Sequence, residues 1–354
     1  MDVDPAFWRD RTVLVTGHTG FKGSWLALWL QQLGADVIGY SLPPPTSPSL
    51  YELARVGSGM RSVEADVREP ARLAQVVAEC GCDVIFHLAA QSLVRRSFRE
   101  PRETYEVNVL GTLSVLEAAG ASDAVRAAVV VTSDKCYEIG GGEKPFVESD
   151  RLGGDDPYSS SKACAELLTA AFCHSFLRDG IPAVATARAG NVIGGGDWAE
   201  DRLVPDAMVA LLERRPLLIR SPDAVRPWQH VLDPLRGYLV LAQQLVVGRV
   251  AGGAWNFGPA QEDARSVSAV VERLGELWGP SESWVRDDAE HPKETAELRL
   301  DATKAHDELG WSPRWCLDEA LACVVEWYRA YAADADLRAT TLEQIERYAG
   351  TTAA

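Results

Sequence analysis

The sequence predicts an α/β fold built around a doubly wound parallel sheet, and two patterns in the chain carry that prediction. Short β-rich apolar runs alternate with longer amphipathic segments, as strands and helices do in parallel sheets. A first strand, a helix and a second strand follow one another near the N-terminus, and a glycine-spaced turn joins the first two. Such a unit forms a right-handed crossover between parallel strands. We therefore expect a Rossmann-type core with a smaller C-terminal lobe.

The elements of the first half are predicted from local patterns. Thr12–Thr16 is a β-rich run that ends in glycine, so we expect it to be the first strand. Gly23–Leu33 has the apolar spacing of a helix, and Asp36–Tyr40 is the expected second strand. Leu42–Ser49 holds four prolines and is expected to be a loop. Three later strands are expected at Asp83–Leu88, Ala127–Thr132 and Ala183–Ala189, with helices between them.

The pattern changes after about Gly190. The run Gly194–Gly196 interrupts any regular element, a helix is expected near Val204–Glu213, and further helices continue to about Tyr348. We expect residues 1–190 to form the doubly wound domain, with later strands contributing, and residues 191–354 to form the smaller lobe. Because no linker separates the two parts, we expect them to share a core and the boundary to be approximate.

Composition and charge argue against several classes of protein. The 354 residues carry a formal net charge of −16, which repels nucleic acid and anionic membranes. No apolar run approaches the roughly 18 residues of a membrane span, and residues 1–11 lack the apolar stretch of a signal peptide. The seven cysteines form no CxxC pair, which argues against zinc and disulfides and favours a cytoplasmic location. We expect no nucleic-acid, membrane or metal partner.

The turn after the first strand has the spacing of a phosphate-binding loop. Its glycines follow the pattern GxxGxxG between a strand and a helix. Gly17 permits the tight turn, Gly20 lets the backbone approach a pyrophosphate, and Gly23 lets the helix pack closely on the strand. The helix N-terminus then stabilises the phosphate charge. We expect residues 1–190 to bind a nicotinamide dinucleotide through the following turn residues: Gly17, Thr19, Gly20, Phe21, Lys22 and Gly23.

The choice between NAD and NADP depends on the end of the second strand. An acid usually binds the ribose 2′-hydroxyl there, but Gly39-Tyr40-Ser41 offers neither an acid nor a nearby arginine. NAD is preferred to NADP, although this marker is missing. Asp66 and Val67 follow the third strand, where a side chain and the backbone could hold adenine. The alternative is that Asp66 caps the next helix.

Tyr158 and Lys162 form a second candidate site. Four residues apart, they lie on the same face of a helix. A nearby ammonium favours tyrosinate, so we expect it to lower the pKa of Tyr158 towards the working pH. The phenol can then move a proton to or from a sugar hydroxyl. An ordinary helix start with an exposed lysine would have the same spacing, but the position after a βαβ unit favours catalysis.

These motifs together resemble the extended short-chain dehydrogenases that act on sugar nucleotides. The resemblance is carried by the GxxGxxG turn, the YxxxK helix, Leu88-Ala89-Ala90, and the run Asn108-Val109-Leu110-Gly111-Thr112. It implies that Ser133 completes a Ser–Tyr–Lys triad with Tyr158 and Lys162 and hydrogen-bonds the C4 oxygen of the sugar. It also implies that the loop residues Leu88, Ala89, Ala90 and Asn108 help to hold the cofactor.

A finer resemblance is to the CDP-glucose 4,6-dehydratases, which are hydro-lyases. Four blocks between residues 16 and 231 carry it: His18–Leu26, Thr132–Tyr137, Gly190–Trp198 and Arg226–Val231. The resemblance implies an NAD-dependent conversion of CDP-D-glucose to CDP-4-keto-6-deoxy-D-glucose. In that reaction C4 is oxidised, water is eliminated across C5–C6, and hydride returns to C6.

Asp134 and Lys135 follow Ser133 directly, and they are the groups that favour dehydration. Once C4 is a ketone, elimination needs a base at C5 and an acid at the C6 hydroxyl. We expect Asp134 to protonate the leaving hydroxyl and Lys135 to assist at C5. Burial favours a protonated carboxyl and a neutral amine, whereas an ion pair between the two opposes both. Which group holds the proton stays open, and a structural ion pair at a strand end is the alternative.

The lobe of residues 191–354 is expected to hold the sugar nucleotide, whose pyrophosphate needs cationic and amide donors. The resemblance implies that Asn191 and Arg226 contact it. Gln91, Arg188 and His230 are further substrate-binding candidates, and each of these residues could instead lie on the surface or in the core. No residue pattern identifies cytosine itself, so CDP depends on the resemblance.

The residues leave two alternative functions open, and the resemblance implies one assembly. The chain could be a 4-epimerase or a dTDP-, GDP- or UDP-sugar dehydratase, but Asp134–Lys135 argues against the first and His18–Leu26 against other nucleotides. It could also be a non-catalytic dinucleotide-binding protein, against which the intact triad argues. The resemblance further implies a homodimer formed by helices near Asn108–Ala119 and Ser159–Leu177.

Overall fold

A computed structural model describes residues 1–139, 144–177, 180–279, 284–287, 289 and 298–351. Within these residues a seven-stranded parallel sheet forms the centre, in the order β11-β6-β5-β4-β1-β2-β3. The strands, in chain order, are β1 Thr12–Thr16, β2 Asp36–Ser41, β3 Arg61–Glu64, β4 Val84–His87, β5 Ala127–Val131, β6 Ala183–Arg188, β7 Val192–Ile193, β8 Leu218–Ile219, β9 Val225–Pro227, β10 Gln229–His230, β11 Gly253–Asn256, β12 Ala264–Ser266 and β13 Val285–Arg286.

Helices cover both faces of the sheet and build the rest of the chain. They are α1 Pro5–Trp8, α2 Phe21–Gln32, α3 Leu50–Leu53, α4 Pro70–Cys80, α5 Val94–Arg99, α6 Pro101–Tyr105, α7 Gly111–Gly120, α8 Pro157–Phe176, α9 Leu203–Glu213, α10 Leu232–Val246, α11 Val267–Trp278, α12 Thr303–Leu309, α13 Leu317–Ala332 and α14 Leu337–Gly350. A π-helix, Glu106–Leu110, joins α6 to α7. Short 3₁₀ turns occur at Val56–Gly59, Asp134–Cys136 and Gln261–Asp263.

The predicted doubly wound sheet is confirmed. β1 pairs with β2 on one side and with β4 on the other, so the chain winds outward in two directions from this point. A crevice opens at such a switch point, beyond the carboxyl ends of the strands, and ligands bind there in folds of this kind. The first strand begins and ends where the sequence predicted, and the other predicted strands agree to within two residues.

α2 connects β1 to β2 and is buried on nearly all sides. Its residues from Gly23 to Leu30 are all buried, as expected for a helix that packs on the sheet and is itself covered by another layer. That layer includes α14, whose Tyr348 ring lies edge-on to Trp29 at 5.7 Å. Because the helix is held on both sides, its N-terminal turn has a fixed direction over the crevice.

The second half of the chain forms small two-stranded pairings and a helical layer beside the crevice. β10 pairs with β7, β12 with β9, and β13 with β8. β11 comes from this half but joins the main sheet next to β6. One apolar core contains residues of both halves, for example Trp25 and Trp327. The boundary near residue 190 stays a prediction, although β11 is one of the later strands expected to contribute to the sheet.

In the described part of the chain, none of the helices has the length and apolar character needed to cross a bilayer.

Candidate active site

A cavity of about 1350 Å³ lies in the crevice, and most of the predicted site residues line it. It extends from the glycine turn after β1, past the ends of β4 and β5, to the segments that follow β6. The predicted catalytic residues that line it are Ser133, Asp134, Lys135, Tyr158 and Lys162. One continuous space therefore joins the expected dinucleotide-binding turn to the expected catalytic groups.

The glycine turn has the geometry that a pyrophosphate requires. Gly17 has φ +76°, and a Cβ there would lie 2.7 Å from the backbone nitrogen of Ala89. A Cβ on Gly23 would lie 2.1 Å from the carbonyl oxygen of Gly17. Gly20 is the N-cap of α2, and no side chain caps the helix there. The first N–H groups of α2 therefore point towards the cavity and fit an anion.

The turn residues predicted to hold the cofactor all line this end of the cavity: Gly17, Thr19, Gly20, Phe21, Lys22 and Gly23. The hydroxyl of Thr19 lies 2.8 Å from that of Ser41 and donates to the carbonyl of Leu42. Thr19 thus ties the turn to the end of β2. Ser41 also lines the cavity and supplies a hydroxyl where an acid is usually found.

Asp66 lines the cavity next to Val67, as expected for residues near adenine. The alternative role, a cap for the next helix, is not what the structure has, because α4 begins at Pro70 with Glu69 as its N-cap. The Asp66 carboxylate instead accepts hydrogen bonds from the backbone and side chain of Arg68. These side-chain hydrogen bonds lower the pKa of Asp66, which keeps it charged near neutral pH.

Leu88, Ala89 and Ala90 line the cavity beyond β4, but Asn108 does not. Asn108 is 1% exposed. Its side chain accepts from the Gln91 backbone N–H at 2.9 Å and donates to the Gln91 carbonyl at 3.0 Å. Asn108 thus shapes the loop after β4, and its expected structural role beside the cofactor stays a prediction.

Gln91 lines the cavity, yet its side-chain amide is used within its own loop. It donates to the Leu93 carbonyl and the Thr104 hydroxyl, and it accepts from the Leu93 N–H at 2.7 Å. The side chain braces the loop, and the predicted role of Gln91 in substrate binding stays a prediction.

Ser133, Asp134 and Tyr158 form a compact hydrogen-bonded group. The Ser133 hydroxyl donates to Oδ1 of Asp134 at 2.9 Å and accepts from the Lys135 N–H at 3.2 Å. Asp134 is 3% exposed. Burial raises the pKa of Tyr158 to about 12, and a hydrogen bond with Ser133 partly opposes this. The expected lowering of the Tyr158 pKa by Lys162 is not found: burial raises that pKa, and the Lys162 ammonium donates to the Val131 carbonyl.

Lys162 lies one helical turn after Tyr158, and its ammonium donates to the Val131 carbonyl at 3.2 Å. Burial lowers the pKa of Lys162 to about 8, although the charge of Glu166 acts in the opposite direction. Lys162 is thus close to its titration point near physiological pH, where it can take part in a proton relay.

Lys22 reaches further into the site than a phosphate-binding role requires. Its ammonium lies 3.5 Å from the hydroxyl of Tyr238. The pKa of Lys22 is lowered to about 7, mainly by burial and then by the charges of Arg202 and Lys162, while the charge of Asp134 acts in the opposite direction. Lys22 therefore belongs to the same electrostatic group as the catalytic residues.

Of the residues predicted to bind the substrate in the second half, only Asn191 lines the cavity. Arg188 is buried and bonds to Glu166 at 2.7 Å. His230 is also buried, between the rings of Trp25 and Trp315 at 5.8 and 4.8 Å. Arg226 lies on β9, where its guanidinium donates to the Val225 carbonyl. These three residues are corrected to positions outside the cavity wall.

Five arginines that were not predicted to bind the substrate line the cavity instead: Arg95, Arg96, Arg99, Arg202 and Arg220. Arg202 pairs with Asp197 at 3.0 Å and donates to the Ser92 hydroxyl. Arg95 and Arg220 both pair with Asp201, at 2.9 and 3.1 Å. The sequence carried one indication of the Arg202 position, since Asp197 follows directly on the Gly194–Gly196 run and Arg202 comes five residues later.

Gly190 sets the space available to Asp134, and this leads to a prediction. A Cβ on Gly190 would lie 1.7 Å from Oδ2 of Asp134, so Gly190→Ala must displace the carboxylate. We expect kcat to fall about 100-fold, with a loss of roughly 1–3 kcal/mol in unfolding free energy from overpacking. Steady-state kinetics and urea unfolding measure the two effects. Gly350→Ala is the control, because a Cβ there meets nothing within 4 Å; wild-type kcat in Gly190→Ala would contradict the assigned geometry.

The chain is similar to known proteins over most of its length. The profile of a family described as GDP-mannose 4,6 dehydratase matches residues 14–323. The CDP-glucose 4,6-dehydratase of Salmonella typhimurium is 45% identical over 357 residues, which is 99% of each chain. The dTDP-glucose 4,6-dehydratase of Streptomyces griseus is 32% identical, over 90% of this chain and 94% of that one. The solved structure of MoeE5 with UDP-glucuronic acid and NAD is similar at a TM-score of 0.75 and 28% identity, covering 90% of this chain and 99% of that chain.

Proposed function

Because the chain belongs to the GDP-mannose 4,6-dehydratase family, we propose that it is an NAD-dependent hydro-lyase that converts CDP-D-glucose to CDP-4-keto-6-deoxy-D-glucose. One structural observation carries the dehydratase assignment. The buried Asp134 carboxylate accepts a hydrogen bond from Ser133 at 2.9 Å, in the cavity that Tyr158 and Lys162 also line. An acid is thereby placed beside the groups that handle the C4 hydroxyl.

The site fits NAD. The uncapped N-terminus of α2 and the glycine cradle accept a pyrophosphate. The ionised carboxylate of Asp66 and the hydroxyl of Ser41 line the adenosine end, where a carboxylate disfavours the extra phosphate of NADP. NAD supplies a hydride acceptor for C4 and later a hydride donor for C6, so the cycle is redox-neutral overall.

The chain's own residues supply the proton transfers. Tyr158 takes the proton from the C4 hydroxyl as C4 is oxidised, with Ser133 hydrogen-bonded to the same oxygen. Lys162, whose ammonium donates a hydrogen bond to the Val131 carbonyl, stabilises the tyrosinate. Once C4 is a ketone, the C5 proton is acidic, and Lys135 takes it as a neutral amine and returns it to C5 at the end of the cycle. Asp134 gives a proton to the C6 hydroxyl, which leaves as water, and one water is lost per substrate.

The substrate end of the cavity suits an anionic sugar nucleotide despite the net charge of −16. Asn191 lines it, as do the guanidinium groups of Arg202 and Arg220. Arginine contacts phosphate in a bidentate manner. We propose that this local positive group holds the diphosphate. CDP itself is supported by the 45% identity with the Salmonella enzyme over the whole chain.

The first test is to incubate the protein with NAD and each of four substrates separately: CDP-glucose, dTDP-glucose, UDP-glucose and GDP-mannose. We expect mass spectrometry to find the loss of one water from CDP-glucose only. Dehydration of another nucleotide sugar would overturn the choice of CDP. A new hexose isomer of unchanged mass would identify a 4-epimerase and reject the role of Asp134.

We also propose that the protein is a homodimer, formed through the surface of α8 and the π-helix region. The apolar side chains of Leu110 and Leu167 are 54% and 59% exposed there. A groove of about 420 Å³ lies on the same face, lined by Arg102, Tyr105, Glu106, Val109, Leu110 and Cys164. A second copy would bury this face in an arrangement of packed helices.

Leu167→Asp is expected to convert the dimer to a monomer, because a charge cannot be buried unpaired at the centre of an apolar interface. Sedimentation velocity measures the change. Leu218→Asp is the matched control, since Leu218 is 64% exposed but lies on β8, away from this face. A Leu167→Asp variant that still sediments as a dimer would place the interface elsewhere.

We propose a cytoplasmic location on the ground that all seven cysteines are free thiols. Cys80 and Cys82 are separated by one residue, and both are free; the thiol of Cys80 donates to the Val77 carbonyl at 3.5 Å. Thiols in such proximity remain reduced in a reducing compartment.

A further inference from the structure

Glu166 is a buried carboxylate on the catalytic helix that the mechanism above does not use. It follows Lys162 by four residues on α8, so the two lie on the same helix face. Its side chain is 3% exposed. Buried carboxylates are rare unless they are paired, and Glu166 has a full set of partners.

Those partners come from two strands of the central sheet. One carboxylate oxygen accepts from the hydroxyl of Thr132, directly after β5. The other accepts from the hydroxyl of Thr186 and from the guanidinium of Arg188, both on β6 and both at 2.7 Å. Glu166 therefore connects α8 to the ends of β5 and β6.

The segments that follow these strands carry the reacting groups. Thr132 precedes Ser133 and Asp134, and Arg188 comes three residues before Asn191, which lines the cavity. On α8 itself, the Lys162 ammonium donates to the carbonyl of Val131, the last residue of β5. The Glu166–Arg188 pair thus braces the contact between the catalytic helix and both strand ends.

The pair also acts through its charge. Both side chains are 3% exposed, so water screens their fields weakly. Among the charges acting on Lys162, Glu166 has the largest effect and raises its pKa against the effect of burial. Arg188 places a compensating positive charge 2.7 Å from that carboxylate. Loss of the Glu166 charge would therefore leave a buried guanidinium without its partner on the catalytic helix.

Other titratable groups face the Tyr158–Lys162 pair and contribute to the same field. Cys136 after β5 raises the pKa of Lys162, and the charge of Lys162 in turn lowers the pKa of Lys22 on α2 and of His87 on β4. The groups that act on or respond to Tyr158 are Asp134 after β5, Arg202 before α9, Asp156 at the start of α8, and Tyr238 on α10. None of these titratable groups is substituted in the variants described below.

We propose that Glu166 and Arg188 are positioning residues, a buried ion pair that aligns the catalytic helix with the ends of β5 and β6 and sets the proton affinity of Lys162. The inference rests on the proposed catalytic roles of Tyr158 and Lys162. It replaces the earlier assignment of Arg188 to substrate binding with a role one layer behind the cavity wall.

The test measures the titration of Lys162 directly, without turnover. The unliganded protein is treated briefly with a small acylating reagent across a pH series, and the modification of Lys162 is followed by peptide mass spectrometry. Glu166→Gln keeps the shape of the side chain but leaves the positive charge of Arg188 uncompensated. We expect the titration midpoint of Lys162 to fall by about one pH unit, and the acid limb of kcat/KM to move to lower pH with it.

Two further variants separate charge from structure. Thr186→Val removes a hydrogen bond to the same carboxylate without altering charge, so the Lys162 midpoint should stay in place. The double variant Glu166→Gln/Arg188→Met removes both charges, so the midpoint should return most of the way to the wild-type value. A purely structural role predicts the reverse, because the double variant would be the more disturbed protein.

An unchanged midpoint in folded Glu166→Gln overturns the inference, as does a double variant that moves further from the wild type. Circular dichroism verifies folding, and the near-isosteric Glu166→Gln alone suffices if the double variant does not fold. Because acylation needs no substrate, the result stands apart from the identity of the sugar nucleotide. Failure of CDP-glucose turnover would overturn the proposed function. The acylation series would still decide whether the Glu166–Arg188 pair sets the titration midpoint of Lys162.

Discussion

Tyr158→Phe is expected to lower kcat by about 10³-fold while leaving substrate binding nearly unchanged. Removing a positioned general acid–base costs about 10²–10⁴-fold, and the phenylalanine ring preserves the packing of a side chain that is 8% exposed. The C4 hydroxyl would then have no group to take its proton, so oxidation at C4 would be the step that fails. Stopped-flow absorbance of the reduced nicotinamide measures that step, and calorimetry with CDP-glucose measures binding.

Tyr105→Phe is the matched control for this experiment. Tyr105 is 38% exposed, and its hydroxyl bonds to that of Ser160 at 2.5 Å outside the catalytic group. The control should keep wild-type kcat. If Tyr158→Phe kept it as well, the triad would not be the catalytic unit and a non-catalytic dinucleotide-binding function would regain support.

Asp134→Asn is expected to separate the two halves of the reaction. The amide oxygen can still accept the hydrogen bond that Ser133 donates at 2.9 Å, so the C4 oxidation site keeps its shape. A carboxamide cannot protonate the departing C6 hydroxyl, so elimination should slow by about 10²–10³-fold. Reduced nicotinamide should therefore accumulate on addition of CDP-glucose, while the dehydrated product appears slowly.

Asp155→Asn provides the control, since Asp155 is an exposed carboxylate on the rim of the same cavity. It should dehydrate CDP-glucose at the wild-type rate. Rapid dehydration by Asp134→Asn would show that another group, with Lys135 the nearest candidate, supplies the proton. Loss of C4 oxidation together with elimination would show that Asp134 acts on the Ser133–Tyr158 group and not on the C6 hydroxyl.

The features that the sequence predicted well are those that depend on neighbours in the chain. The turn requires glycine, because a Cβ on Gly17 would lie 2.7 Å from the backbone nitrogen of Ala89 and a Cβ on Gly23 would lie 2.1 Å from the Gly17 carbonyl oxygen. Spacing along a helix places Tyr158 and Lys162 on one face in the same way. β1 could be predicted to the residue because a buried parallel strand is a short apolar run with glycine after it.

Side-chain direction at the strand ends could not be predicted from residue type. Arg188 and Asn191 are only three residues apart, yet Arg188 closes β6 with its guanidinium on Glu166, whereas Asn191 lies beyond the strand and reaches the cavity. Arg188 and His230 were both predicted to bind the substrate from their residue types. His230 instead packs between two tryptophans, and burial lowers its pKa to about 3, so it is neutral and part of the core.

The sequence by itself determined the class of fold, the glycine turn and the shared helix face of Tyr158 and Lys162, because periodicity, glycine spacing and helix geometry act over a few residues; the roles of Ser133, Asp134 and Lys135 came from the family resemblance and stay predictions. Only the tertiary structure decided which cations face the cavity. Arg95 and Arg220 are 125 residues apart in number, yet both bond to Asp201. It also decided that burial raises the pKa of Tyr158. Both outcomes depend on how segments distant in the chain pack together and exclude water, and no local pattern encodes that packing.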